Sequence, residues 1–305
     1  MKLLVASPWS QERLEEAQKT FPQVQFTVAA DQDDILREIV DAEAVFGAIS
    51  REAFLAAKQL KWIQNTGAGV ERLARISEIA ESDVTVTNTR GSHAATIAEH
   101  GFGLLISLTR QLPSLLDAQR EHNWTRPFSG PQVGLTGLTL GVVGMGNIGR
   151  AIAKRGHGFE MEVIGVDINE VPKPDFVSEL RLLDGLDDLM QRSDVVAVAA
   201  PITPETAGML GPEQLRLMKP TAYLIVVSRG GIIDEDTLMQ MLNDGQLAGA
   251  GLDVTANTPN LLITPHCSGG STQTAAAGKA IFYDNLRRYL AKEPLTNLVD
   301  LKRGF

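Results

Sequence analysis

Short apolar runs alternate with amphipathic stretches along almost the whole chain. In the first hundred residues, β-rich runs at 3–6, 24–28, 44–49, 62–65 and 84–88 alternate with helically spaced stretches at 11–20, 33–40, 52–59 and 70–80. Such alternation predicts parallel strands with helices on both faces, because a parallel pair needs a crossover and the crossover is usually a helix. Residues 94 to about 119 form one long helical pattern with Pro113 inside it. A proline there predicts a kink or break, since its ring removes a backbone N–H. Residues 123–138, rich in Gly and Pro, read as a connecting loop. A second series follows, with strands expected at 138–143, 162–166, 195–199, 222–227, 249–254 and 261–264, and a helical pattern at 275–290. The pattern predicts an α/β protein of two doubly wound parallel-sheet domains with a cleft between them.

The second series opens on the strongest local signal. The run 138–143 leads into Gly144, Gly146 and Gly149, a G-x-G-x-x-G turn, and Asn147 and Ile148 open the helical stretch that follows. Asp167 stands 18 residues past Gly149, at the end of the next apolar run. Each piece suits a dinucleotide. Gly144 permits the tight turn, Gly146 lets the backbone approach a pyrophosphate, and Gly149 lets helix and strand pack closely. The helix N-terminus offers N–H groups to the phosphates, and the acid accepts from ribose hydroxyls.

Composition narrows the classes. With 305 residues the chain has room for two domains, and 28 basic against 37 acidic residues give a net charge of −9. That balance argues against nucleic acid or an anionic membrane as partner. The single cysteine, Cys267, forms no intrachain disulfide and fits a reducing, cytoplasmic compartment. The apolar start of the chain stops at Ser7 and Pro8, too short for a signal segment. No metal is expected: His93 and His100 lie seven apart, ~10 Å of helical rise, and no other ligand spacing is visible. Cys267 beside His266 suggests a thiol nucleophile only weakly, since neighbours in an extended chain point to opposite sides. Trp9, after the first strand, either lines a pocket or simply packs.

Further motifs in order along the chain are LKWIQNTGAGV at 60–70, AEH at 98–100, KP at 219–220, SRGGIID at 228–234, GAGLDV at 249–254, TPH at 264–266 and NLVD at 297–300. Together with the glycine turn, this set resembles the D-isomer-specific 2-hydroxyacid dehydrogenases, in particular the glyoxylate and hydroxypyruvate reductases. The resemblance covers nearly the whole chain. It implies a discontinuous, flavodoxin-like substrate domain at 1–100 plus 281–305. A Rossmann NAD-binding domain at 101–280 would be inserted into it. It also implies a homodimer built partly by the helix near 95–120, NAD(H) as cofactor, and a small 2-oxo or 2-hydroxy acid as substrate.

Reducing a 2-oxo acid requires a reductant, a carboxylate anchor, polarisation of the carbonyl and a proton. NADH would be the reductant. Asp167 favours NAD over NADP, because it repels a 2′-phosphate and no Arg or Lys follows at 168–170. The resemblance adds Pro201, Val227, Ser228, Arg229, Asp253, His266 and Gly269 to the cofactor contacts. Backbone N–H groups at Ala68 and Gly69 would anchor the carboxylate; the plain alternative is an ordinary strand-to-helix turn. Arg229 would grip carboxylate and carbonyl together, unless it braces its loop against Asp234. His266 would act as acid/base. Asp253 would hold the nicotinamide carboxamide, or serve as a structural cap.

One departure stands out. The family places a Glu–Pro pair soon after Leu-Asp-Val, whose carboxylate keeps the family's histidine charged near neutral pH. Here Val254 is followed only by Thr255 to Thr258 before Pro259, with no Glu. If the strands at 249–254 and 261–264 are parallel neighbours, those four residues span at most ~14 Å. A crossover usually takes ten or more residues. Three explanations follow: a loop carrying the glutamate is missing from this sequence, the deletion is real and the enzyme weakened, or catalysis has been abandoned for NAD(H) sensing, as in the family's corepressors. The first is adopted, and an intact mass equal to 32.9 kDa would overturn it. A smaller departure is Val226, where the family often has Asn. No C-terminal regulatory extension is expected, which disfavours the feedback-regulated phosphoglycerate dehydrogenases. Formate dehydrogenase is a weaker alternative.

Overall fold

The computed structural model describes residues 1–126, 128, 130–253 and 261–301. The chain divides into two compact units, Met1–Ser92 with Thr272–Phe305, and His93–Ser271. Each is organised around one sheet in which every described pairing is parallel.

The first unit holds β1 (Lys2–Ala6), β2 (Gln25–Val28), β3 (Ala44–Gly47), β4 (Trp62–Gln64) and β5 (Thr85–Thr87), in the order β2-β1-β3-β4-β5. This is the flavodoxin-like order. Side chains alternate between two buried faces, as a doubly covered sheet requires. Leu3, Val5, Ala44, Phe46 and Trp62 pack on one face with Phe282, Tyr283 and Leu286 of the helix Thr272–Ala291. Leu4, Val45, Ile63 and Val86 pack on the other with Ile39, Leu73 and Ile79. The end of the described chain thus completes the core of its beginning. Trp9 belongs to the first of these cores, its ring centroid 5.4 Å from Phe46 and 6.0 Å from Phe26, so packing explains it.

The second unit holds β6 (Thr139–Val143), β7 (Glu162–Asp167), β8 (Glu179–Leu182), β9 (Val195–Val198), β10 (Tyr223–Val226), β11 (Gly249–Leu252) and β12 (Leu261–Ile263). Their order is β12-β11-β10-β9-β6-β7-β8. The strand order reverses between β6 and β9, the switch point at which doubly wound sheets bind ligands. Leu140, Val142, Tyr223 and Ile225 face the helices Ala94–Thr109 and Asn147–Gly158. Val143, Leu224 and Val226 face the opposite core with Leu189, Met218 and Leu238.

Three elements differ from the sequence reading, and one pairing that it left conditional is found. The pattern at 94–119 forms two helices, Ala94–Thr109 and Leu112–Arg120, and the break falls at Gln111, in the left-handed region at φ 53°. Pro113 lies in the first turn of the second helix, where its missing N–H has no partner to lose. The stretch at 70–80 forms two single turns, Glu71–Ala74 and Ser77–Ala80. Strand β8 was not expected; it is a half-exposed edge strand without an apolar run. Finally, β11 and β12 are parallel neighbours, with Ala250 opposite Leu261 and Leu252 opposite Ile263. Only eight residues separate them, 253–260, fewer than the dozen a parallel crossover normally takes. The stretch 254–260, on which the absent-glutamate expectation falls, lies outside the described residues.

Candidate functional site

In the second unit, β6 ends in the glycine turn and each glycine has a separate steric reason. Gly144 sits at φ +92°, and a Cβ there would lie 2.8 Å from the backbone of Ala200. A Cβ on Gly149 would collide with the carbonyl oxygen of Gly144. At Gly146 a Cβ would meet nothing within 4 Å. The first two glycines are demanded by packing, whereas the third borders open space. Gly146 is also the N-cap of the helix Asn147–Gly158, and no side chain caps that end. Its first N–H groups are therefore available to an anion. Asp167, at the tip of β7, is held at the same turn: Oδ2 accepts from Met145 N at 2.7 Å and Oδ1 from Asn169 N at 2.9 Å. These features fit a dinucleotide, with the carboxylate at the ribose position.

The ends of β10, β11 and β12 bring further groups to the same unit. Ser228 is buried and Arg229 half-buried after β10, and Arg229 Nη1 donates to the Ser228 carbonyl at 2.9 Å. Val227 is 4% exposed. Asp234 caps the helix Glu235–Asn243 through Thr237 N at 2.8 Å, and the hydrogen bonds from Thr237 hold its carboxyl below the usual range. Pro201, after β9, accepts at its carbonyl from the Thr206 hydroxyl at 2.6 Å. His266 is exposed with φ +55°, and its N–H donates to Thr264 O at 3.0 Å. A Cβ on Gly269 would lie 3.0 Å from the ring of His93.

Asp253 is the most elaborated side chain. It is 2% exposed, and Oδ1 accepts from the Thr264 hydroxyl at 2.6 Å and Cys267 N at 3.0 Å, while Oδ2 accepts from Ser268 N at 3.0 Å. Burial alone would raise its pKa, but the hydrogen bonds from Ser268, Thr264 and Cys267 outweigh that and hold it below the usual carboxylate value. His100, on the helix Ala94–Thr109, joins this group through Nε2···Thr264 Oγ1 at 2.8 Å. Gly251 lets that helix approach the sheet, since a Cβ there would stand 2.9 Å from Leu104. The His100–Thr264–Asp253 chain was not visible in the sequence, where its members are 164 and 11 residues apart.

In the first unit, the turn after β4 is built from its carbonyls outward. Asn65 Nδ2 donates to Gly67 O at 2.9 Å and Gly69 O at 2.8 Å, and Asn88 Nδ2 donates to Ala68 O at 2.8 Å. Among the described residues, the N–H groups of Gly67, Ala68 and Gly69 donate to nothing. Successive free N–H groups of this kind make an anion seat. Asn65 and Asn88 brace this turn, and sequence reasoning missed them; the signal was an Asn directly before each turn.

These features define a dinucleotide-binding α/β protein of the doubly wound class. Residues 102–268 match the family model described as D-isomer specific 2-hydroxyacid dehydrogenase, NAD binding domain, and the chain belongs to that family. It is 33% identical to the glyoxylate reductase of Korarchaeum cryptofilum over 87% of this chain and 85% of that one. It is 32% identical to the glycerate dehydrogenase of Methylorubrum extorquens, with 77% of each covered. Among solved structures it resembles a D-isomer specific 2-hydroxyacid dehydrogenase family protein from Aeromonas salmonicida, with TM-score 0.84, 31% identity, and 98% and 99% of the chains covered. The chain spans 56–60% of the length of several D-3-phosphoglycerate dehydrogenases that it also matches. The glyoxylate reductase match runs over 285 positions but takes in 87% of 305 residues, about 265, so about 20 positions of the relative have no counterpart here. For the glycerate dehydrogenase, 253 positions against 77%, about 235 residues, leave about 18.

Proposed function

We propose that this chain is an NAD(H)-dependent oxidoreductase that interconverts small 2-oxo acids and D-2-hydroxy acids. The observation that carries the reading is the 67–69 turn, whose carbonyls are tied by Asn65 and Asn88 while its N–H groups remain free for a carboxylate. A bound NADH supplies the reducing equivalent. Gly144, Gly146, Asn147, Ile148 and Gly149 seat the pyrophosphate, and Asp167 holds the ribose hydroxyls. NAD would be preferred to NADP because the Asp167 carboxylate would repel a 2′-phosphate, and the guanidinium of Arg150 is tied to the carbonyls of Met145 and Pro172. A similar D-isomer specific 2-hydroxyacid dehydrogenase from Xanthobacter autotrophicus, 27% identical, binds NADPH, so both cofactors belong in the assay.

In the first unit, the N–H groups of Ala68 and Gly69 take the carboxylate. In the second, Arg229 polarises the carbonyl and His266 gives the proton to the developing alkoxide. Asp253, with Pro201, Val227, Ser228 and Gly269 around it, accepts from the nicotinamide carboxamide. NADH oxidation across a panel of 2-oxo acids tests this, with His266→Ala expected to lower kcat by ~10²–10⁴. Full activity in that variant would remove His266 from the mechanism.

The short β11–β12 connection supports a second reading, an NAD(H)-binding sensor without turnover. We infer that the roughly 20 positions absent relative to the glyoxylate reductase fall in this connection, because it is shorter than a parallel crossover, and a glutamate partner for His266 would lie there. NADH binding without turnover of any 2-oxo acid would establish the sensor. We also propose a homodimer through the second unit, because Leu112, Leu116 and Trp124 are exposed (39%, 51% and 103%) on and just after the helix Leu112–Arg120.

A further inference from the structure

We propose that His100, Asp253 and Cys267 form a site for a thiophilic divalent cation of the zinc type. One ligand atom from each, an imidazole nitrogen, a carboxylate oxygen and a thiol sulfur, lie within 4.8 Å of one another, the one such cluster among the described residues. His100 Nε2 and Asp253 Oδ1 are 3.9 Å apart. A triangle with these limits has a point within ~2.6 Å of all three corners, a few tenths of an ångström beyond zinc bonds of ~2.0–2.3 Å. Small side-chain rotations close that gap.

Three segments converge to build the cluster: the helix Ala94–Thr109, the end of β11 and the turn after β12. Thr264 touches both His100 Nε2 and Asp253 Oδ1, at 2.8 and 2.6 Å. Ser268 N holds Oδ2, while Oδ1 accepts from the Thr264 hydroxyl and Cys267 N, so a cation takes the place of the Thr264 bond on Oδ1. The Ser268 contact on Oδ2 is a supporting bond of the kind that orients metal ligands, and the Thr264 hydroxyl must turn aside for Nε2 and Oδ1 to reach the ion. Cys267 is exposed, so an ion has a route in and a fourth position open to water. The donor set selects the metal, because magnesium and calcium take oxygen ligands whereas imidazole with thiolate suits zinc and its neighbours. On binding, the sulfur–metal bond forms as the thiol proton passes to solvent, and the nitrogen–metal bond forms as the proton that His100 Nε2 shares with Thr264 moves to Nδ1 through solvent.

One consequence rests on the proposed cofactor reading. A cation on Asp253 Oδ1 engages the carboxylate assigned to the nicotinamide carboxamide, so cation and NADH exclude each other.

The test is titration of the metal-free full chain with Co²⁺, followed by Zn²⁺. One Co²⁺ per chain is expected, with a sulfur-to-cobalt charge-transfer band that one equivalent of Zn²⁺ removes. Cys267→Ser should abolish the band, and His100→Gln should weaken binding by more than the ~10–100-fold typical of losing a supporting hydrogen bond. Circular dichroism and melting curves establish that each variant is folded. A folded wild-type chain without the band, or a band that survives in Cys267→Ser, overturns the site. NADH titration with and without Zn²⁺ reads the exclusion: simultaneous binding overturns the shared carboxylate. A chain that binds Co²⁺ but never NADH refutes the cofactor reading and leaves the metal site standing.

Discussion

Asp253 concentrates more consequence than any other side chain in the second unit. Its two oxygens accept from one hydroxyl and two backbone N–H groups in a place almost sealed from water. Replacement by Asn sets an NH₂ against one of those donors and should cost about 1–3 kcal/mol. The pH dependence follows from the lowered pKa. The ionised form gains its stabilisation fully above the unfolded carboxylate value of ~3.9 and loses it as pH falls through the lower folded value. Thermal melts should therefore show a constant deficit for Asp253→Asn from neutrality to about pH 5, shrinking in more acidic buffer. A deficit that widens in acid would show that the carboxyl is protonated in the fold.

At the scale of elements, legibility followed burial. Strands covered on both faces, such as β6 with its TLGVV run and β10 with YLIV, announce themselves as apolar blocks. The ELRL of β8 does not, because an edge strand needs only half its side chains inside. The glycine turn and Asp167 were legible because strand, turn and helix are contiguous in sequence. Thr264 and His100 were not, because their meeting with Asp253 is made by packing between distant segments. The helix break is instructive in another way. Pro113 attracts attention, yet the left-handed Gln111 is where the helix stops. Pro113→Ala should accordingly lose about 0.4–1 kcal/mol through the freer unfolded chain. Were Pro113 kinking a continuous helix, the same change would gain up to ~3 kcal/mol. Denaturant midpoints separate the two signs.

At the scale of the whole molecule, the two units differ in how they are assembled. His93–Ser271 is one continuous stretch, and its exposed Leu112, Leu116 and Trp124 are the apolar surface assigned to a second copy. Sedimentation equilibrium should give twice the chain mass of 32.9 kDa, and Leu116→Glu should shift the population towards monomer. A monomer at every concentration would remove the dimer and leave those side chains unexplained. Family membership was legible from motifs strung across the chain, whereas the β11–β12 pairing that makes the short connection conspicuous required the fold.

The first unit is split, and that has a consequence during synthesis. Leu3, Val5, Phe46 and Trp62 are covered by Phe282, Tyr283 and Leu286, so one face of the first sheet stays bare until the ribosome has released the helix Thr272–Ala291. The continuous unit ends at Ser271, so it is complete only as synthesis of that helix begins. A nascent chain therefore carries an open, sticky beginning for the roughly 180 codons of the middle unit, about 10–40 s at ~5–20 residues per second. That interval is when this protein most needs a chaperone.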